Sequence, residues 1–271
     1  MQIPRLPLFE NPPVVETVIG LFFHPLNGLT SAHQGVLWER HFRKDFPTIE
    51  EHYPLRDRPS CSGFEAREIG RETFRVDDGP NLRLWAFSEN RTRLLQIQKD
   101  ALLCNWLRND DRSQYWHYDE RKRDFFQRFR SFEDFVLQEG LDRIVLTGCL
   151  ITYVNHVDAN NENDFSAELA RVFGFWTDGH LTTIGRVIEG RIALSMTFDD
   201  EKGLLYVTIN PAIRKVDNKR VMILEMTARH KVSDSTIESA SRSLDLCHWA
   251  SVTAFARMTR EEMHQIWERV V

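Results

Sequence analysis

Three consecutive segments near the C-terminal end restrict the fold more than anything else in this chain. Ile192, Leu194, Met196 and Phe198 alternate with small or polar residues, as do Leu205, Val207 and Ile209, and then Met222, Leu224 and Met226. A period of two sends each apolar set to one face of a strand, so the three segments require an antiparallel sheet with one apolar face. "DDEKG" provides the hairpin between the first two. An amphipathic helix of about 24 residues is predicted to follow from Ser235, with Ser235 and Glu238 at capping-box spacing. Its inner stripe of Ile237, Leu244, Cys247, Ser251 and Phe255 is small enough in places to lie close on a sheet. The second half is thus similar in topology to helix-grip folds, in which a curved sheet wraps a long C-terminal helix.

The first half repeats that logic. "NPPVVETVIGLFFHP" reads as a strand entered and left through prolines, and "TSAHQGVLWERHFRKDF" as a helix with Ser31 and Gln34 at capping-box spacing and Val36, Leu37, Phe42 and Phe46 on its apolar side. Residues 63–107 read as successive antiparallel strands, with "SENRT" and "KD" as reversals. Phe125, Phe129, Phe132 and Val136 recur at helical spacing within residues 119–139, and Gly140 ends that helix. "RIVLTGCLITYVNHV" is apolar on both alternations, as a central strand covered on two sides would be. A polar loop and a short helix near residues 166–173, capped by Asp164 or Ser166, lead to the three alternating strands, and "MTREE" starts a last helix with Thr259 and Glu262 as its box. The expectation is an α+β fold of antiparallel sheets with packed helices, in two similar or abutting halves, 1–140 and 141–271, forming one body.

Composition narrows the function classes. The 35 Lys and Arg are outweighed by 40 Asp and Glu, and the balance is similar on either side of Gly140, so neither half is a basic module and a nucleic-acid partner is disfavoured. The run "ERKRDFFQRFR" mixes Arg121, Lys122, Arg123, Arg128 and Arg130 with aromatics, but its phenylalanines have core spacing. No signal peptide and no membrane span are expected. Cys61, Cys104, Cys149 and Cys247 form no CxxC pair, which points to reduced thiols in a cytoplasm.

Specific chemistries find little support. Thirteen glycines make no phosphate-binding loop or nucleophile elbow. "NHVDANNENDF" places Asp158, Asn160 and Glu162 at calcium-loop spacing but has Asn163 and Leu169 where Gly and Glu belong. Ten histidines give no HExxH, so neither a metal site nor a cofactor is expected and no catalytic residue is assigned. His248 is read as a core-edge histidine, or alternatively as a base activated by a strand carboxylate such as Glu225. Met196, Met222 and Met226 are read as core, or alternatively as the lining of an apolar ligand pocket.

The hairpin "LLQIQKDALLCNWLRN" sets Leu94, Gln96 and Gln98 on one face of its first strand, and Asn105 opposite Trp106 in the alternation of its second. Its amides form either an inter-strand ladder or a recognition surface. Taken together, "NPPVVE" at 11–16, "LQIQKDALLCNW" at 95–106, "YVN" at 153–155 and "LDLCHW" at 244–249 resemble a sporadically distributed family of uncharacterised prokaryotic proteins. Members of that family carry an xPPVxE opening strand and an LxQxQxDxxxxNW hairpin. The resemblance implies no activity; patchy distribution implies mobile genes such as phage defence or toxin–antitoxin modules. It singles out Glu16, Gln96, Gln98, Asp100, Asn105 and Trp106, and Glu16 sits among Val14, Val18 and Phe22, where a charge needs a partner. With His248 these form the candidate binding set. The expectation is an interaction module for another protein, with self-association left open. The alternatives are an acid–base hydrolase using Glu16 or His248 and a helix-grip small-molecule binder.

Overall fold

A computed structural model describes residues 6–54, 82–108, 115–160, 164–177 and 185–270. Its centre is one nine-stranded antiparallel sheet in the order β2-β3-β4-β5-β1-β6-β9-β8-β7. The strands are β1 (Val14–Phe23), β2 (Thr48–His52), β3 (Arg83–Phe87), β4 (Arg93–Gln98), β5 (Ala101–Leu107), β6 (Leu146–Asp158), β7 (Ile192–Thr197), β8 (Gly203–Arg214) and β9 (Lys219–Lys231). In each half the first strand is innermost and the later strands step from the edge back towards it. The halves meet where β1 pairs with β6, with Gly20 opposite Leu150 and Val18 opposite Thr152. They are therefore similar in topology and share a single sheet. The turn expected at "KD" joins β4 to β5, with Gln98 opposite Ala101. The strand β2, with sequence TIEEH, has no strong alternation, so a period-two reading does not reveal it. The part of the expected strand region at 63–81, Cys61 and the loop residues Glu162 and Asn163 lie outside the described residues.

The helices are α1 (Ser31–Leu37), which continues as a π-turn over Trp38–Phe42, α2 (Tyr118–Gln138), α3 (Phe165–Val172), α4 (Ile237–Met258) and α5 (Glu261–Ile266). The two long helices cover one face. Phe125, Phe129, Phe132 and Phe135 of α2 are fully buried, and Phe132 meets Phe23 of β1 with ring centroids 5.5 Å apart. Burying each such side chain contributes about 1.5–3 kcal/mol. Gly140, at φ +65°, closes α2, with Leu141 N–H donating to Val136 O at 3.0 Å. The helix α4 lies over β6, β9 and β8, with its stripe of Leu244, Cys247, Ser251 and Phe255 buried. Cys149 and Cys247 meet across this layer with sulfurs 3.9 Å apart and, like Cys104, are free thiols.

Several local expectations change. The cap of α1 is Thr30, boxed with His33, and Val36 is exposed while Leu37, Phe42 and Phe46 are buried. Thr236 caps α4 by accepting from Ser239 N–H, whereas the Ser235 hydroxyl accepts from Leu146 N–H and so ties α4 to β6. Asp164 caps α3, as expected. At α5 the cap is Arg260, while the Thr259 hydroxyl lies 2.8 Å from His264 Nε2 and donates to Phe255 O. The strand β6 is covered fully on one side only: Cys149, Ile151, Tyr153 and Asn155 are buried under the helices, but Thr152, Val154 and His156 on the other side are half-buried.

Candidate functional site

The two faces of the sheet each carry a recess. On the face away from the helices, strand pairing sets Leu94, Asn105, Val18, Thr152 and Thr227 in one row. Gln96, Leu103, Gly20, Leu150 and Arg229 form the next row. A third row runs from Glu16 through Val154 to Glu225. A groove of about 320 Å³ follows these rows. Its floor is a small apolar cluster of Ala101, Leu103 and Leu150 with Val18 and Phe22 packed against it.

The hairpin amides organise one wall of this groove. Gln96 Nε2 donates to Asn105 Oδ1 at 2.7 Å, and Asn105 Nδ2 donates to Glu16 Oε1 at 2.6 Å. Asn105 thus supplies the partner that Glu16 needs, and it links β4, β5 and β1 through side chains as well as backbone. Gln98 Nε2 donates to Asp100 Oδ1 at 2.6 Å at the turn. Gln96, Gln98, Asp100 and Asn105 are all buried, and Gln96 Oε1 has no hydrogen-bond partner among the described residues. Glu225, across Val154 from Glu16, is exposed. At the other end Arg229 lies over the Phe22 ring, and the Arg83 guanidinium lies 5.1 Å from the centre of the Trp85 ring. The groove therefore has Glu16 and Glu225 at one end, an apolar floor, and Arg83 and Arg229 together with Asp100 at the other.

On the helix face a cleft of about 480 Å³ opens between the N-terminal segment, the start of α2, α4 and the sheet. One wall is the segment around Pro7 and Phe9, held by backbone bonds from Glu10 N–H to Glu268 O and from Val270 N–H to Leu8 O. Opposite it, His248 stacks on Tyr118 with ring centroids 3.9 Å apart and planes 15° apart, and its Nδ1 lies 2.8 Å from the Tyr153 hydroxyl. Burial, reinforced by Arg121 and Lys122, lowers the His248 pKa to about 3, so the imidazole is neutral at physiological pH. Burial likewise pushes the Tyr153 phenol well above its usual range. Tyr118 Oη and Lys122 Nζ both donate to Asp245 Oδ1, at 2.8 and 2.6 Å.

Glu16, Gln96, Gln98, Asp100 and Asn105 therefore gather on the open face, while His248 lies across the sheet from them. Trp106 is also on the helix face, buried edge-on to Tyr115. Glu225 cannot activate His248, because β9 sends it to the open face while His248 approaches from the helices. For the same reason Glu16 and His248 do not assemble into an acid–base pair. Ser251, one helical turn beyond His248, has its Oγ buried without a partner among the described residues and so is not activated by the imidazole. The three methionines do not share a pocket: Met226 lines the cleft, Met222 is buried and Met196 is exposed on the edge strand β7. The basic run on α2 is not a continuous patch, since Arg121 and Arg128 are buried and Lys122 is paired with Asp245. Asp158 of the calcium-like loop forms an ion pair with Arg214, and among the described residues no group of three or more His, Cys, Asp or Glu is placed to hold a metal ion.

Sequence reasoning did not assign Tyr118, Asp245 or Ser251 to a site. Tyr153 and Asp245 fall within "YVN" and "LDLCHW", so the signal was the motifs' polar members on otherwise apolar elements. No family model matches the chain, and no curated protein matches its sequence. No helix among the described residues is long and apolar enough to cross a membrane.

Proposed function

We propose that the chain is a non-catalytic binding module whose partner is another polypeptide, received in the groove on the open face of the sheet. The observation that carries this reading is the convergence of Glu16, Asn105 and Gln96 into one hydrogen-bonded chain beside an apolar floor. A rigid sheet presents these groups without the ordering cost that loops would add. Charge complementarity at the Glu16 end specifies the partner: an extended segment with an apolar side chain over Leu103 and Leu150 and a basic residue towards Glu16 and Glu225. The reading extends, from the family resemblance, to a role in phage defence or a toxin–antitoxin pair. The free thiols fit a cytoplasmic setting.

A photo-crosslinking side chain at Val154, compared with one at the exposed Gln127 of α2, tests the proposal in the native host. A discrete polypeptide crosslinked at 154 but not at 127 is expected, and with the purified partner Glu225→Lys should weaken binding at least about ten-fold, or about 1.4 kcal/mol. A crosslink to a second copy would identify the partner as this chain itself. Crosslinking only at 127, or binding indifferent to Glu225→Lys, would sink the groove as the docking site.

A further inference from the structure

The helix-face cleft plays no part in the proposed docking, yet it is built as a ligand site. Ser251 is 1 % exposed, lines the cleft, and has a hydroxyl that bonds to nothing among the described residues. A buried hydroxyl in that state is uncommon, because it has given up its water without receiving a replacement. Asp245 receives both of its donors, Tyr118 and Lys122, on Oδ1, which leaves Oδ2 as an acceptor at the same cleft. His248 is engaged at Nδ1, so Nε2 is its remaining polar atom. The rest of the wall is mostly apolar or aromatic, including Phe9, Met226, Val252 and Phe255, with His117, Asp119 and Asn155 as its other polar members. Few convergent polar groups in an aromatic pocket of several hundred Å³ is the pattern of small-molecule recognition.

The charge around the cleft narrows the ligand. Arg121 is buried behind Tyr115 and Tyr153 and donates to the Tyr115 hydroxyl at 3.1 Å, and Lys122 stands beside it. These two cations, one of them paired with Asp245, offset the two lining carboxylates, Asp119 and Asp245, so the cleft has no net charge that favours an ionic ligand. We infer that the cleft binds an uncharged, planar heteroaromatic molecule whose N–H or O–H donates to Asp245 Oδ2 and whose ring is held between Phe255 and the Tyr118–His248 stack, with Ser251 bonding a second polar atom. This site is independent of the open-face groove.

Indole, which is uncharged, planar and an N–H donor, is the probe. Its binding is measured by ligand-observed NMR on the full chain, with benzoate as the anionic and benzylamine as the cationic comparison. Indole is expected to bind at least ten-fold more tightly than either, and Val252→Trp, which fills the cleft, should abolish that binding. Ser251→Ala removes one atom without adding bulk and should weaken binding of 5-hydroxyindole, which adds the second polar atom that indole lacks, several-fold at an unchanged Tm, so the test survives a Val252→Trp chain that does not fold. Glu225→Lys should leave indole binding unaltered while disrupting the open face, which separates failure of this site from failure of the groove. No binding of indole at millimolar concentration, or binding that neither Val252→Trp nor Ser251→Ala changes, would overturn the inference.

Discussion

The two recesses use polar groups in opposite ways. In the open-face groove the polar side chains are bonded to one another across three strands, Gln96 to Asn105 to Glu16, and brace the surface they belong to. In the helix-face cleft the polar groups belong to different elements, α2, α4 and β6, bond in pairs, and leave the Ser251 hydroxyl without a partner among the described residues. A sheet fixes side chains at intervals set by strand spacing, so neighbours on one face can satisfy each other. A cleft between helices and a sheet has no such lattice, and its polar atoms stay available to something else. On the proposals above, the first arrangement is a braced docking surface and the second a small-molecule site.

The contrast can be broken most forcefully on β6, where neighbouring residues face opposite layers. Ile151→Ala under the helices should cost about 2–5 kcal/mol in chemical denaturation, while Val154→Ala on the open face should cost less than about 1 kcal/mol. Equal costs would mean that the open face is as much a core as the other. Asn105→Ala should destabilise by about 1–3 kcal/mol, because it strips the partner from both Gln96 and Glu16; a neutral result would show that the chain does not brace the groove.

Protonation distinguishes the cleft. Folding holds the His248 pKa near 3, below its ordinary value of 6.5, through burial first and then Arg121 and Lys122. The unfolded chain therefore takes up a proton below about pH 6.5 that the folded chain refuses until near pH 3. The resulting stability is constant above pH 6.5 and falls as pH drops through that window, by up to about 1.4 kcal/mol per pH unit. His248→Asn should flatten that part of the profile, measured by urea denaturation at pH 7.5, 6.5 and 5.5; an identical slope in both proteins would refute the neutral, buried imidazole. The smallest effect is expected at the groove's exposed rim, where Glu225→Lys should change stability by no more than about 0.5 kcal/mol. A larger loss would make Glu225 part of the scaffold.

Much of the open face was legible because strand alternation is a strong code. Leu94, Gln96 and Gln98 were placed together by their period, as were Leu103 and Asn105, and the structure keeps those sets together. The core stripe of α4 and the alternation of β8 and β9 were legible for the same reason, whereas the apolar set read on β7 is not buried: on this edge strand Leu194 and Met196 are exposed. The caps were read less well, because Thr30, Ser31, Thr236 and Ser235 offer competing hydroxyls at adjacent positions and geometry alone selects among them. The cleft was nearly invisible: Tyr118, Asp245, His248 and Ser251 sit on helices where spacing signals only which side faces inward.

By itself, then, the sequence determined two halves of strand and helix with a shared logic, and it determined which residues of each strand travel together. Those are consequences of backbone period, which every residue obeys locally. Only the tertiary structure decided that the halves fuse through β1 and β6 into one sheet, that Asn105 serves Glu16, and that His248 faces Tyr153 instead of Glu225. These pairings join residues far apart in the chain, and they are set by how whole layers pack, which no local pattern encodes.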